Sequence, residues 1–380
     1  MKIYKKAILP LGFKAAGIAS GIKKSGKLDL ALFYSQLPAK ASCQFTTNKI
    51  QAAPIKVNKE HLKKNKYFRA VIVNSGNANC FTGEYGLKVA KQTASNVAGE
   101  LGIKKEGVLV ASTGVIGKRL PLLRIKTAIP ALTKGLSRAG IDKAKRAIMT
   151  TDKFAKEVTV KFNISGRMVT ICGIAKGAGM IAPDMATMLC FIFTDASISK
   201  AALDKALKFS VDNSFNCITV DGCMSTNDSI IVLANGLSKN KPIDIAIGTN
   251  FNLFLKALNL VCLELAKMIV KDAEGGTKFI QIKVKGARNF AEAKKAAAAI
   301  ANSNLFKTAM YGENPNFGRI VSSVGASGVD VKEEELKIKV SPLNRIDITV
   351  DVSIGKGKSY ATIYTSDLSP DYIKINAEYN

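Results

Sequence analysis

Short apolar runs with strand character recur along this chain, each ending in a polar, glycine-containing turn and most followed by a stretch of helical period. Arg69-Ala-Val-Ile-Val-Asn reads as a strand that runs into NSGNANCFTG. Gly86–Leu101 then places Leu87, Ala90, Ala94, Val97 and Leu101 on one helical face. Gly107-Val-Leu-Val-Ala is a second strand and enters Ser112-Thr113-Gly114-Val115-Ile116-Gly117. Residues 168–174 and 189–193 are further strands, separated by KGAGMIAPDMATM. Ser199 can cap a helix running to Phe209, and Asn252 a longer one to Lys271, where Gly275-Gly276 stops the chain. Lys278–Lys285 alternates as a strand, Phe290–Ala301 is an Ala-rich helix, and residues 346–352 and 360–364 are late strands. No low-complexity tract or repeat of 20–50 residues occurs, so the chain predicts a mixed α/β fold. No Pro/Gly/Ser-rich linker divides it, and the two halves are expected to share one sheet system.

Composition narrows the chemistry. Of 380 residues, 47% are hydrophobic and 22% charged, enough for a buried core. Lysine plus arginine number 56 against 29 acidic residues, a net charge of +27. That excess suggests nucleic acid, but the lysines are spread along the chain. Many alternate with apolar residues, as in Ile282-Lys283-Val284-Lys285 and Leu336-Lys337-Ile338-Lys339-Val340, the pattern of half-buried strands. No zinc-finger, RNP or basic-zipper pattern accompanies them, and no nucleic-acid partner is expected. The densest cluster, Lys59–Lys66, reads as a solvated helix or loop.

The single histidine, His61, removes every mechanism that needs a histidine pair. The seven cysteines are odd in number, form no C-x-x-C and several lie within apolar runs; they read as buried small hydrophobes in a reducing compartment. No metal site follows from these counts. No G-x-G-x-x-G or G-x-x-x-x-G-K-[ST] stands at a strand–helix junction, so dinucleotide and P-loop readings lapse. No apolar run reaches the 18–20 residues of a membrane span. The N-terminal MKIYKK followed by AILPLGF imitates a leader, but Pro10, Gly12, Lys14 and Gly17 interrupt it. The segment is read as the start of a cytoplasmic protein.

The segment Lys176-Gly-Ala-Gly-Met-Ile-Ala-Pro-Asp-Met-Ala-Thr187-Met-Leu admits two readings. One is a glycine-rich turn before a core strand, with Thr187 as a β-branched opener. The other is an N-terminal nucleophile. A threonine hydroxyl needs a base beside it, and a Ser-His-Asp triad would have to use His61, whose HLKKNK surroundings read as exposed surface. Cutting the chain before Thr187 would supply an α-amino group of pKa about 7.7–8.0 as that base. The bond broken would be Ala186–Thr187.

KGAGMIAPDMATML resembles the self-cleavage segment of the glutamate/ornithine N-acetyltransferases of arginine biosynthesis. The resemblance continues, in the family's order, through GFKAAGIASGIKKSGKLDLAL (12–32), FTTNKIQAAP (45–54), VNSGNANCFTG (73–83), STGVIG (112–117), MTTD (149–152), TVDGCMSTNDS (219–229), KDAEGG (271–276), ANSNLFKTAMYGENPNFGRI (301–320) and DYIKINAEY (371–379). It implies a two-sheet sandwich flanked by helices in αββα layers, and self-processing into fragments 1–186 and 187–380, two copies of each forming a heterotetramer. It implies acetyl transfer from N-acetylornithine to glutamate through an ester on Thr187, without metal or organic cofactor. The resemblance is compatible with acetyl-CoA as a second donor and equally with its absence. By the same resemblance Thr113 and Gly114 form the oxyanion hole, and Thr151, in preference to Thr150, Lys176, Glu274 and Asn376 contact substrate along with Thr187. Taken one at a time, Lys176 reads as a surface lysine, Thr113-Gly114 as a strand-end turn and Asn376 as a terminal loop residue. Glu274 reads as a helix-end carboxylate, at the end where the helix dipole disfavours an anion. Two departures stand out: the family's hydroxyl residue after INAEY-x is missing, and Cys223 stands where an acidic residue is usual. A related self-cleaving aminopeptidase or hydrolase is the alternative activity.

Overall fold

A computed structural model of the chain describes residues 1–182 and 188–378. They fall into two units. The first holds residues 1–177, 188–213 and 225–265, and the second 178–182, 214–224 and 266–378. Each unit has a sheet of its own, which corrects the expectation of one shared sheet system. A flexible tether marks a single crossing between domains; this chain passes between its units several times, as at 177–178, 213–214, 224–225 and 265–266, and its composition carries no mark of it.

The first unit contains β1 (Lys2–Tyr4), β2 (Phe13–Ile18), β3 (Leu30–Phe45), α1 (Ala53–Lys64), β4 (Phe68–Asn77), α2 (Gly83–Leu101), β5 (Val108–Val115), α3 (Leu122–Lys134), α4 (Ile141–Ala147), β6 (Lys156–Ile164), β7 (Arg167–Lys176), β8 (Leu189–Thr194), α5 (Lys200–Asp212) and β9 (Ser229–Ala234). The helix α6 (Thr249–Lys271) begins in it. The strand order is β1-β6-β7-β8-β9-β3-β4-β5, with β2 also on β3. β3 is long enough to serve two partners: Leu30–Tyr34 pairs with β4, and Lys40–Phe45 pairs with β9. Its pairing with β4 shifts register between Tyr34 and Ala39. The sheet thereby folds over itself. Alternate residues Phe33, Val71, Val73 and Leu109 face Leu189, Phe191, Phe193 and Ile231 across the interior. The Phe33 ring lies 5.3 Å from Phe191 and 5.1 Å from Phe193 between centroids. The opposite face of β3, β4 and β5, with Leu32, Ile72 and Val110, packs on Val57 of α1, Val89, Ala94 and Val97 of α2, and Ile125 and Ile129 of α3. Behind β7, a Cβ placed on Gly173 would stand 2.7 Å from Val261 Cγ1 and 2.8 Å from Leu265 Cδ1, so α6 lies directly on that strand. The layers are helix, sheet, sheet, helix, in agreement with the expected fold.

The second unit builds a four-stranded sheet, in order β11-β12-β10-β13, from β10 (Phe279–Ala287), β11 (Lys337–Val340), β12 (Asp347–Ser353) and β13 (Ser359–Ser366). Helices α7 (Phe290–Ala301), α8 (Asn304–Tyr311) and α9 (Gly318–Ala326) cover one face, and α10 (Pro370–Ala377) follows the last strand. Ile280, Ile282 and Val284 face inward while Lys283 and Lys285 face out, as the alternation predicts.

Ser199 does cap α5, its Oγ accepting from Ala202 N at 3.2 Å. α6 starts at Thr249 instead of Asn252, whose N–H already donates to Gly248 O at 2.9 Å inside the first turn. His61 is not surface: it is 5% exposed, with Nδ1 2.8 Å from Val108 O. It sits one turn after Val57 on the face of α1 turned to β5, and the neighbouring lysines occupy the other face. Among the described residues no helix is long and apolar enough to cross a membrane. Phe33→Ala should cost about 3–5 kcal/mol, because its cavity opens between two sheet layers that cannot collapse independently. Urea unfolding of the variant measures this.

Candidate active site

In the first unit the parallel strands β4 and β5 end together, and side chains tie down the ends. Asn74 Nδ2 donates to Asn77 O at 2.8 Å and Ser112 Oγ to Asn74 Oδ1 at 2.6 Å. Asn227, just before β9, donates from Nδ2 to Ala78 O at 2.6 Å and Ser112 O at 2.8 Å. These bonds fix the backbone of the next two residues, Thr113 and Gly114. Thr113 is buried. Gly114 has φ +133°, and a Cβ there would stand 2.3 Å from Gly76 C and 2.4 Å from Asn77 N, so only glycine fits.

Lys176, the last residue of β7, is 3% exposed and is no surface lysine. Its Nζ donates to Thr113 Oγ1 at 3.3 Å. A hydroxyl that accepts from an ammonium turns its own hydrogen elsewhere, which leaves Thr113 a donor. Asp152 gathers the surrounding charge. Its Oδ1 accepts from Lys156 Nζ at 2.5 Å and Gly177 N at 2.7 Å, and its Oδ2 from Thr150 N at 2.8 Å. Burial pushes the Asp152 pKa up, but Lys176 and Lys156 outweigh it and hold the carboxyl well below the usual carboxylate range. Lys23 donates to Leu28 O at 2.9 Å and Met149 O at 2.7 Å. Burial pulls its pKa down to about 8, against the opposing pull of Asp29, with Lys176 adding to the fall. Lys23, Lys156 and Lys176 outnumber Asp152 and Asp29 and leave the cluster positive, suited to an anionic ligand. Thr150 and Thr151 are both half-buried in the segment before β6.

In the second unit Glu274 follows α6, and its N–H donates to Ala178 O at 2.9 Å. Asn376, on α10 and not in a loop, donates from Nδ2 to Glu274 Oε2 at 3.0 Å. A side chain at Gly179 would meet the Glu274 carboxylate at 2.1 Å, so the glycine there leaves that acid its space. The expected residues thus form two groups: Thr113, Gly114 and Lys176 in one unit, Glu274 and Asn376 in the other. Ala186 and Thr187 lie outside the described residues. Sequence reasoning missed Lys23, Asp152 and Lys156; the first two sit inside matched motifs, 12–32 and MTTD, and were legible there.

The model of the ArgJ family matches residues 14–380. The chain belongs to the ArgJ family. The arginine biosynthesis bifunctional protein ArgJ of Caldanaerobacter subterraneus is 47% identical to it, over 98% of each chain. The protein of the same name from Geobacter sulfurreducens is 46% identical, over 97% of this chain and 98% of its own. Among solved structures, ornithine acetyltransferase of Mycobacterium tuberculosis, complexed with ornithine, is 38% identical over 48% of this chain and 97% of its own, with a TM-score of 0.45.

Asp152 gives this ArgJ-family chain a measurable pH signature. Its native pKa lies below the unfolded value of about 3.9, so the stability it contributes is present above about pH 4 and is lost as pH falls further. Asp152→Asn removes the buried carboxylate that Lys156 contacts and should cost about 3–5 kcal/mol at pH 7. The gap from the parent should narrow towards pH 3, as urea unfolding at pH 7, 5 and 3 will read.

Proposed function

We propose that the chain is a self-processing acetyltransferase of arginine biosynthesis that moves acetyl from N-acetylornithine to glutamate through an ester on Thr187. The observation that carries this reading is the buried Thr113 hydroxyl, held by Lys176 at 3.3 Å beside a Gly114 backbone that admits no side chain. It has the form of an oxyanion hole made of one side-chain and one backbone donor. The relatives named as bifunctional arginine-biosynthesis proteins support the pathway, and their bifunctionality supports acetyl-CoA as a second donor.

In the processing step the Thr187 hydroxyl attacks the Ala186 carbonyl and the C–N bond breaks. The nitrogen leaves as the α-amine of Thr187, and water then hydrolyses the ester to release the Ala186 carboxylate. In transfer, that amine takes the hydroxyl proton as oxygen attacks the acetyl carbonyl, and the proton passes to the departing ornithine nitrogen. The amine of glutamate then attacks the acetyl ester and restores the hydroxyl. Lys176 and its neighbouring cations offer partners for substrate carboxylates, as Thr151 offers a hydroxyl. Glu274 offers a carboxylate for the ornithine ammonium, with Asn376 orienting it. Fragments 1–186 and 187–380 would assemble as two copies of each, in the cytoplasm.

Intact mass spectrometry, followed by an assay with N-acetylornithine and glutamate, tests the reading. Two fragments starting at Met1 and Thr187, with acetyl appearing on glutamate, are expected. Acetate or an amino acid released without glutamate would mark a hydrolase instead. Thr187→Ala should stay uncut and inactive. Thr113→Ala should lower kcat about 10²–10³-fold with little change in KM, since the donor meets charge that exists only in the tetrahedral intermediate. Near-parent kcat in a variant that merely melts lower would remove Thr113 from the mechanism.

A further inference from the structure

Two aspartates in the stretch 219–229 have no part in the chemistry above, yet each grips backbone next to the segment that holds Ala186–Thr187. Asp221 Oδ2 accepts from Met180 N at 2.6 Å, and its Oδ1 from Ile181 N at 2.9 Å and Cys223 N at 3.1 Å. Tyr372 OH adds a donor to Oδ2 at 3.3 Å. Met180 carries φ +56°, a left-handed conformation that strains a non-glycine residue and needs to be held. Asp228 is fully buried, and its Oδ1 accepts from Met188 N at 2.8 Å. Ser229 N donates to Met188 O at 3.2 Å, so both backbone groups of Met188 are fixed. Asp228 Oδ2 has no hydrogen-bond partner. Burial pushes this carboxyl well above its usual range, although the Met188 N–H, the Lys176 charge and Thr46 all pull the other way. Ladder geometry alone would not place an unsatisfied buried acid at this point, since an asparagine or serine could take the Met188 N–H at less desolvation cost.

We propose that Asp221 and Asp228 are positioning residues for self-cleavage, anchoring the backbone at Met180–Ile181 and at Met188 on the two sides of residues 182–187. The inference rests on the self-processing reading. An acyl shift needs the attacking oxygen and the carbonyl carbon held in near-attack geometry, and a misplacement of about 1 Å costs on the order of 10²-fold. The two anchors differ in a testable way. Asp228 uses one oxygen towards backbone, so asparagine can replace it. Asp221 uses both, and an amide would turn an N–H against one of its donors.

Freshly translated full-length precursors of the parent, Asp228→Ala, Asp228→Asn, Asp221→Ala and Asp221→Asn are followed by intact mass, with thermal melting alongside. Both alanine variants should cleave at least about tenfold more slowly than the parent. Asp228→Asn should recover most of the rate, and Asp221→Asn should not. Alanine variants that melt lower but cleave at the parent rate would show a purely structural role and overturn the proposal. So would an Asp228→Asn as slow as Asp228→Ala. A parent that stays intact overturns the self-processing reading and the anchors with it, whereas a cut parent matched by its alanine variants overturns the anchors alone.

Discussion

The first unit depends on one strand being shared. β3 gives its first residues to β4 and its last to β9, and the break in register after Tyr34 lets one continuous sheet become two facing layers. Phenylalanines fill the gap: Phe13, Phe193, Phe33 and Phe191 follow one another in that order with successive ring centroids 5.1–5.3 Å apart. This closure brings strand ends together. The ends of β4, β5 and β7 meet the starts of β8 and β9, as Lys176 with Thr113, Lys176 paired with Leu189, and Asn227 with Ser112 each record. Thr113, Gly114 and Lys176 therefore stand at the ends of paired strands, where a shift of one would have to move its paired neighbours.

Part of this was legible in the sequence. Apolar runs found β4, β5, β7 and β8, alternation found β10, and Ser199 announced α5 by its cap. β3 escaped because Pro38 and the small, polar residues around it hide a strand whose two halves face different partners. α3 carries Pro130 inside it, which breaks the helical pattern on paper. His61 was misjudged because four nearby lysines set the local composition, while the spacing from Val57 sets the buried face.

The candidate site was legible differently. Thr113, Lys176, Glu274 and Asn376 came from motif resemblance, since alone each has an ordinary surface or turn reading. Their partners are contacts between residues far apart in the chain. Lys176 reaches Thr113 across 63 positions, and Asn376 reaches Glu274 across 102. Periodicity reports only local neighbours. A buried charge leaves no local trace either, because Lys156 on a strand reads like any solvent-facing lysine until its ion pair with Asp152 is seen.

That ion pair sets the electrostatics around it. Two carboxyls of the first unit, Asp152 and Asp228, are both buried and both feel Lys176, yet they shift in opposite directions. Asp152 has a second lysine in direct contact and two backbone donors, and it stays ionised. Asp228 has one backbone N–H and an unsatisfied oxygen, and burial drives it towards its neutral form. The difference follows from number: the charges of Lys176 and Lys156 together with several hydrogen-bond donors offset desolvation at Asp152, whereas the Lys176 charge and fewer donors do not offset it at Asp228. Asp228 in this state holds the Met188 N–H with less negative charge beside Lys176 than an ionised carboxylate would bring.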